Sequence, residues 1–109
     1  LVKWSGSPAN ASVQGWVTDY QSSYQIQAGT PFLWVVTLNN TILTQRINRQ
    51  QVQISSSSLN TVSGNVRLGA ETNTSGYQAL TLCEMIVFNR VLTSSEITQL
   101  ESYGSRWGV

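Results

Sequence analysis

The chain carries five carboxylates and no histidine, so acid–base chemistry would have to come from Asp19, Glu71, Glu84, Glu96 and Glu101. Retaining hydrolysis of a glycosidic bond needs two carboxyl groups about 5 Å apart. Glu96 sits three residues after Thr93 and reads as a helix cap, and Glu101 falls on the helix behind it, which leaves no plausible pair. Without histidine there is no Ser-His-Asp triad and no Cys-His pair, and most zinc sites are excluded. The single cysteine, Cys83, excludes an internal disulfide and a cysteine-based zinc site. Its place in an apolar run reads as a buried, inert thiol. The expectation is a protein that is not an enzyme.

Binding chemistry is better supplied. Aromatic platforms beside amide and carboxylate groups are the usual means of holding a sugar. Trp16, Asp19, Tyr20, Asn39, Asn40, Asn73 and Tyr77 offer those types in loop-like stretches and form the candidate ligand-binding set. The structural alternative makes Trp16 and Tyr24 core or interface residues. Glu84 is expected to be structural, because a carboxylate on an apolar strand needs a partner: Arg67, Arg90 or nearby backbone.

The elements that must position these residues are mostly strands. The 109 residues form one domain, long enough to bury a core without disulfides or a metal. Charged residues are 10% of the chain and the net charge is +1, which gives no electrostatic case for nucleic acid or an anionic membrane. Ser, Thr, Asn and Gln make up about two fifths of the residues, so solubility comes from uncharged polar groups. No apolar run reaches membrane-spanning length. The opening at Leu1 suggests a processed or excised piece of something longer.

Along the chain, "WSGSPANAS" reads as loop and "VQGWVTDYQSSYQIQ" as one or two short strands. "FLWVVTL", the turn pair Asn39 and Asn40, and the alternating "TILTQRINRQQVQI" read as a β-hairpin. "ALTLCEMIVFNRVL" is almost continuously apolar and reads as a central strand covered on both faces. Leu82, Ile86 and Phe88 share the side of Glu84, while Cys83, Met85 and Val87 lie on the other. Thr93 and Glu96 then form a capping box, with Leu92 and Ile97 at the staple positions. Ile97, Leu100, Tyr103 and Trp107 follow helical spacing, and Gly104 or Gly108 supplies the stop. The helix is expected to pack this apolar stripe, Trp107 included, against a sheet.

Leu82, Glu84, Met85, Ile86, Val87, Phe88, Asn89, Arg90 and Leu92, followed by Thr93 and Glu96, resemble a strand and cap of the concanavalin A-like lectin/glucanase superfamily. The likeness is to the C-terminal part of laminin-G-like domains of bacterial and phage surface proteins. Glu101, Tyr103, Arg106, Trp107 and Gly108 fit the closing helix of that pattern, with Gly104 where leucine is usual and Arg106 where lysine is usual. The match runs from Thr81 to Trp107, with weaker likeness in "FLWVVTLNNTI", "RIN" and "VRLGA". The glucanase strand Glu-x-Asp-x-x-Glu has no counterpart here.

The resemblance implies an antiparallel jelly-roll β-sandwich with one short C-terminal helix, compact or incomplete. Such domains are usually longer, so early strands are missing or replaced. A compact variant, complementation by another chain or homo-oligomerisation, and a fragment of a longer polypeptide all fit. The implied function is non-enzymatic adhesion or carbohydrate recognition on an extracellular or virion surface. The alternative is a structural virion protein, such as a capsid decoration, head-fibre or tail-fibre component, acting through oligomerisation. Expected partners are glycans or cell-surface and capsid proteins, with no nucleic acid and no membrane insertion. No cofactor is expected, although calcium at the sandwich rim could draw oxygen ligands from Asp19, Asn39, Glu71 or Asn73.

Overall fold

A computed structural model describes residues 10–14, 18–59 and 81–109, together with the backbone of residues 2–5. The protein is mainly β, with two antiparallel three-stranded sheets and one short C-terminal helix. Strands β1 (Val2–Ser5), β2 (Asn10–Gln14) and β3 (Asp19–Gln25) form the first sheet in chain order. The expected loop "WSGSPANAS" is thus shorter than its composition suggests: Trp4 and Ser5 pair with Ala11 and Asn10. Ladder hydrogen bonds prevail there over the weak strand propensity of Ser and Asn.

Strands β4 (Trp34–Asn39), β5 (Ile42–Ile47) and β6 (Gln50–Ser56) form the second sheet, again in chain order. The expected hairpin is present with its tip one residue on, at Asn40 and Thr41, because Asn39 still pairs with Ile42. Asn40 takes φ 53°, a left-handed conformation that asparagine tolerates better than most residues. The run expected to be one return strand is folded in two at Asn48 and Arg49, whose φ values of 49° and 71° match a type I′ turn. Asn48 is secured there: its Oδ1 accepts from the Leu33 amide at 2.9 Å and its own amide donates to the Leu33 carbonyl at 3.0 Å.

The two sheets meet through Val13, Tyr20 and Leu43, with Trp34, Val36, Leu38 and Leu59 packed around them. On the inner face of the second sheet, Trp34 lies opposite Ile47, Val36 opposite Gln45 and Leu38 opposite Leu43. Leu43 and Ile47 are fully buried, each contributing about 1.5–3 kcal/mol of transfer free energy. Gln45 is buried among them and stays satisfied as a donor, since its Nε2 bonds the Tyr20 carbonyl at 2.6 Å and also Gln53 Oε1. That bond ties the two sheets together through a polar group.

Helix α1 (Ser94–Gly104) begins at the expected capping box and continues into a 3-10 turn over Ser105–Trp107 that Gly108 ends at φ 82°. Its seating differs from expectation. Glu101 and Gly104 are the buried positions of α1, whereas Tyr103 and Trp107 are 45% and 44% exposed. Gly104 lies so close to Leu33 that a Cβ there would stand 2.8 Å from Leu33 Cδ2. Glu101 pairs with Arg46, which lies on the sheet face opposite Gln45 and Ile47. Among the described residues, the helix meets the second sheet and its approach through a charge pair to Arg46 and a close glycine contact with Leu33, while Tyr103 and Trp107 of the apolar stripe stay exposed.

Among the described residues, the expected central strand finds no neighbour to pair with. Residues 81–88 run without a turn or bend, yet they belong to neither sheet. Leu82, Met85, Ile86, Val87 and Phe88 are 45–77% exposed, and Cys83 is exposed as well, not buried. A strand exists only where a neighbouring backbone completes its ladder, and no described residue does so. An apolar run reports what a segment is able to bury, not what lies over it.

Candidate functional site

Of the expected ligand-binding set, the structure describes Asp19, Tyr20, Asn39 and Asn40. Trp16, Asn73 and Tyr77 lie outside the described residues, as do Glu71 and Arg67. Tyr20 is 7% exposed and belongs to the core, where its hydroxyl accepts from the Ser58 amide at 2.9 Å, so it offers no face to a ligand. Asp19 is exposed at the start of β3, on one sheet, while Asn39 and Asn40 are exposed at the hairpin tip of the other. Among the described residues, no group of three or more His, Cys, Asp or Glu comes together. The calcium reading gains no oxygen cage from them.

The residues that do come together lie along the helix. Glu84 receives three donors: Arg106 Nη2 at 2.5 Å, Tyr103 Oη at 3.1 Å and Trp107 Nε1 at 3.4 Å. The expected structural role for Glu84 finds its partner in Arg106, not Arg90. The guanidinium of Arg106 stacks 3.6 Å from the Tyr103 ring centre and 5.1 Å from that of Trp107. Arg106, then Trp107 and Tyr103, hold the Glu84 carboxyl below its ordinary range.

Arg90 is engaged one turn away, in a two-pronged pair with Glu96 at 2.7 and 2.9 Å. Glu96 also accepts from the Thr93 amide at 2.8 Å, and the Thr93 hydroxyl oxygen accepts from the Glu96 amide at 3.3 Å. Arg90 first, then Thr93, pull the Glu96 carboxyl down to about 2. Glu101 completes the series against Arg46 at 2.8 and 3.1 Å. Each of the three glutamates is thus committed to an arginine, an arrangement suited to fastening rather than to proton transfer.

These contacts lay residues 84–92 alongside α1, with Phe88, Leu92, Leu100 and Tyr103 lining an open cleft of about 290 Å³. Glu84 and Phe88 face the helix. Met85 and Val87, of opposite parity, carry the alternate side chains and are 53% and 77% exposed. The result is an apolar ridge from Leu82 to Val91 that the sequence identified as a strand and the structure presents as surface. Its signal was present in the sequence as the continuity of "TLCEMIVF". The Arg46 contact to Glu101 had only a faint one, a lone charge in an otherwise uncharged strand.

Comparison of the chain with protein-family models, with curated proteins and with solved structures finds no match.

Proposed function

We propose that this chain is a non-enzymatic structural module of an extracellular or virion surface, acting through association with another protein chain. In this reading it is a laminin-G-like jelly-roll sandwich left open on one side, of the kind suited to a capsid decoration, head fibre or tail fibre. The observation that carries it is the ridge: six large apolar side chains between Leu82 and Val91 are 44–77% exposed. Together they present on the order of several hundred Å² of surface, at or above the 300–600 Å² of the largest patch on a typical monomer. A protein kept soluble by amides and hydroxyls has little reason to expose such a ridge unless something covers it. The facing of the two sheets through Val13, Tyr20 and Leu43 supports the sandwich part of the proposal.

Light scattering and a glycan array on one purified sample test this. The expected result is a protein that binds no sugar. A monomer that binds a defined glycan specifically, with an affinity indifferent to Val87→Lys, overturns the assembly reading in favour of carbohydrate recognition.

A further inference from the structure

Resting on that assembly reading, we infer that the partner is a second copy of this chain, and that residues 82–88 of two copies pair antiparallel to form a closed dimer. Three observations lead there. The first is backbone: residues 81–88 run unbent and join no ladder among the described residues, so against those residues an identical segment meets no competing strand. An antiparallel pair of one segment with itself satisfies both chains equally, which is the geometry of an isologous interface.

The second is charge. From Thr81 to Leu92 the only charged residues are Glu84 and Arg90. Each is already neutralised within its own chain, Glu84 by Arg106 and Arg90 by Glu96. A neutral apolar ridge offers nothing to steer a strongly charged partner, and it meets no repulsion from its own copy. The net charge of +1 adds no barrier between whole molecules. Edge segments that must stay unpaired normally carry lysine, proline or inward charges, and 81–88 has none beyond the neutralised Glu84.

The third is area. The ridge and the neighbouring exposed faces of Tyr103 and Trp107 approach the scale of about 800 Å² per partner that a standard interface buries. Strand pairing through 82–88 would bring Met85 and Val87 against their counterparts while Glu84 and Phe88 remain on the helix. Aliphatic cross-strand pairs of this kind add to the ladder.

The test is sedimentation velocity from micromolar to millimolar protein, with amide hydrogen exchange read over residues 82–88. The expected outcome is a monomer–dimer equilibrium in which those amides slow by about tenfold or more as the dimer forms. Val87→Lys replaces the most exposed side chain of the ridge, so it is expected to fold normally, sediment as a monomer and leave the amides unprotected. Val87→Thr, which keeps the branched shape, is expected to retain the dimer with weaker affinity. A wild-type monomer at every concentration overturns the second-copy inference while leaving association with a different chain standing, provided no sugar is bound. An open-ended series of oligomers overturns the closed pairing, since it would require the segment to add to a different surface of its neighbour.

Discussion

Arg46→Met offers the most direct measure of how the helix is attached. The Glu101 side chain is 4% exposed and its only described charged partner is Arg46, 26% exposed, through bonds of 2.8 and 3.1 Å. Removing the guanidinium while keeping most of the aliphatic stem leaves a carboxylate buried between helix and sheet. Breaking a buried pair from one side costs about 3–5 kcal/mol. Partial access of water to the Arg46 side places the expected loss near the lower end, about 3 kcal/mol. Glu101→Gln should cost less, about 1–2 kcal/mol, because Arg46 keeps its bond to the Arg49 carbonyl at 2.7 Å and part of its hydration.

Urea titration of the two single variants and the double variant measures both costs and the coupling between them. For a domain of this size, 1 kcal/mol corresponds to about 4–8 °C in melting temperature, so Arg46→Met should be visible by calorimetry as well. The expected order is Arg46→Met more damaging than Glu101→Gln, with a double variant close to Glu101→Gln alone. Equal losses below about 1 kcal/mol, with no coupling, would refute the seating of Glu101 on the sheet.

Two further outcomes follow from the same geometry. Arg49 holds φ 71° in the turn between β5 and β6, where a side chain is strained and glycine is not; Arg49→Gly is expected to raise the urea midpoint, with a net gain of about 0.5–1 kcal/mol after the larger unfolded-state entropy of glycine. Glu96 titrates near 2 when folded and near 4.3 when unfolded, so its contribution is complete above the unfolded value and disappears as pH falls through about 2. Helical circular dichroism should therefore decline between about pH 4.5 and pH 2. Glu84, also lowered, acts in the same direction, and Glu96→Gln should flatten the slope; an unchanged acid profile in that variant would remove Glu96 from the account.

The parts of the fold legible in the sequence are those governed by neighbours along the chain. Thr93 and Glu96 are three residues apart and their reciprocal bonds depend on nothing distant, so the helix start was readable from four letters. The hairpin was readable for the same reason, to within one residue at its tip, since asparagine at a turn carries its own conformational preference. Arg49 is not a turn residue by composition, and the second turn was missed. Arg46 and Glu101 are 55 residues apart, beyond any periodicity or spacing argument. The strand reading of 81–88 differs in kind: its residue types are strand-formers, but strand formation is a property of two segments, and no described segment pairs with this one. The candidate sugar-binding residues were chosen by type and loop position, and Tyr20 shows the weakness of that choice, because alternation along β3 points it into the core.

The arrangement of charge joins the fold to the proposed role. The three described glutamates of the C-terminal region fasten one helix in three directions: Glu101 to the sheet, Glu96 to its own entry, and Glu84 to the helix end. The latter two pairs are 32–56% exposed, and pairs so open to water are worth little singly. Among the described pairs, Arg46 with Glu101 is the most buried and therefore dominates the charge-mediated attachment of the helix. Because residues 84–92 lie on the helix and join neither sheet, the ridge is oriented by that attachment at second hand. A segment carried in this way spends none of its backbone edges on the described strands, whereas one built into either sheet would have done so. Among the described residues, a strand-forming sequence is thus held outside both sheets by its side chains, the arrangement from which the proposed pairing would start.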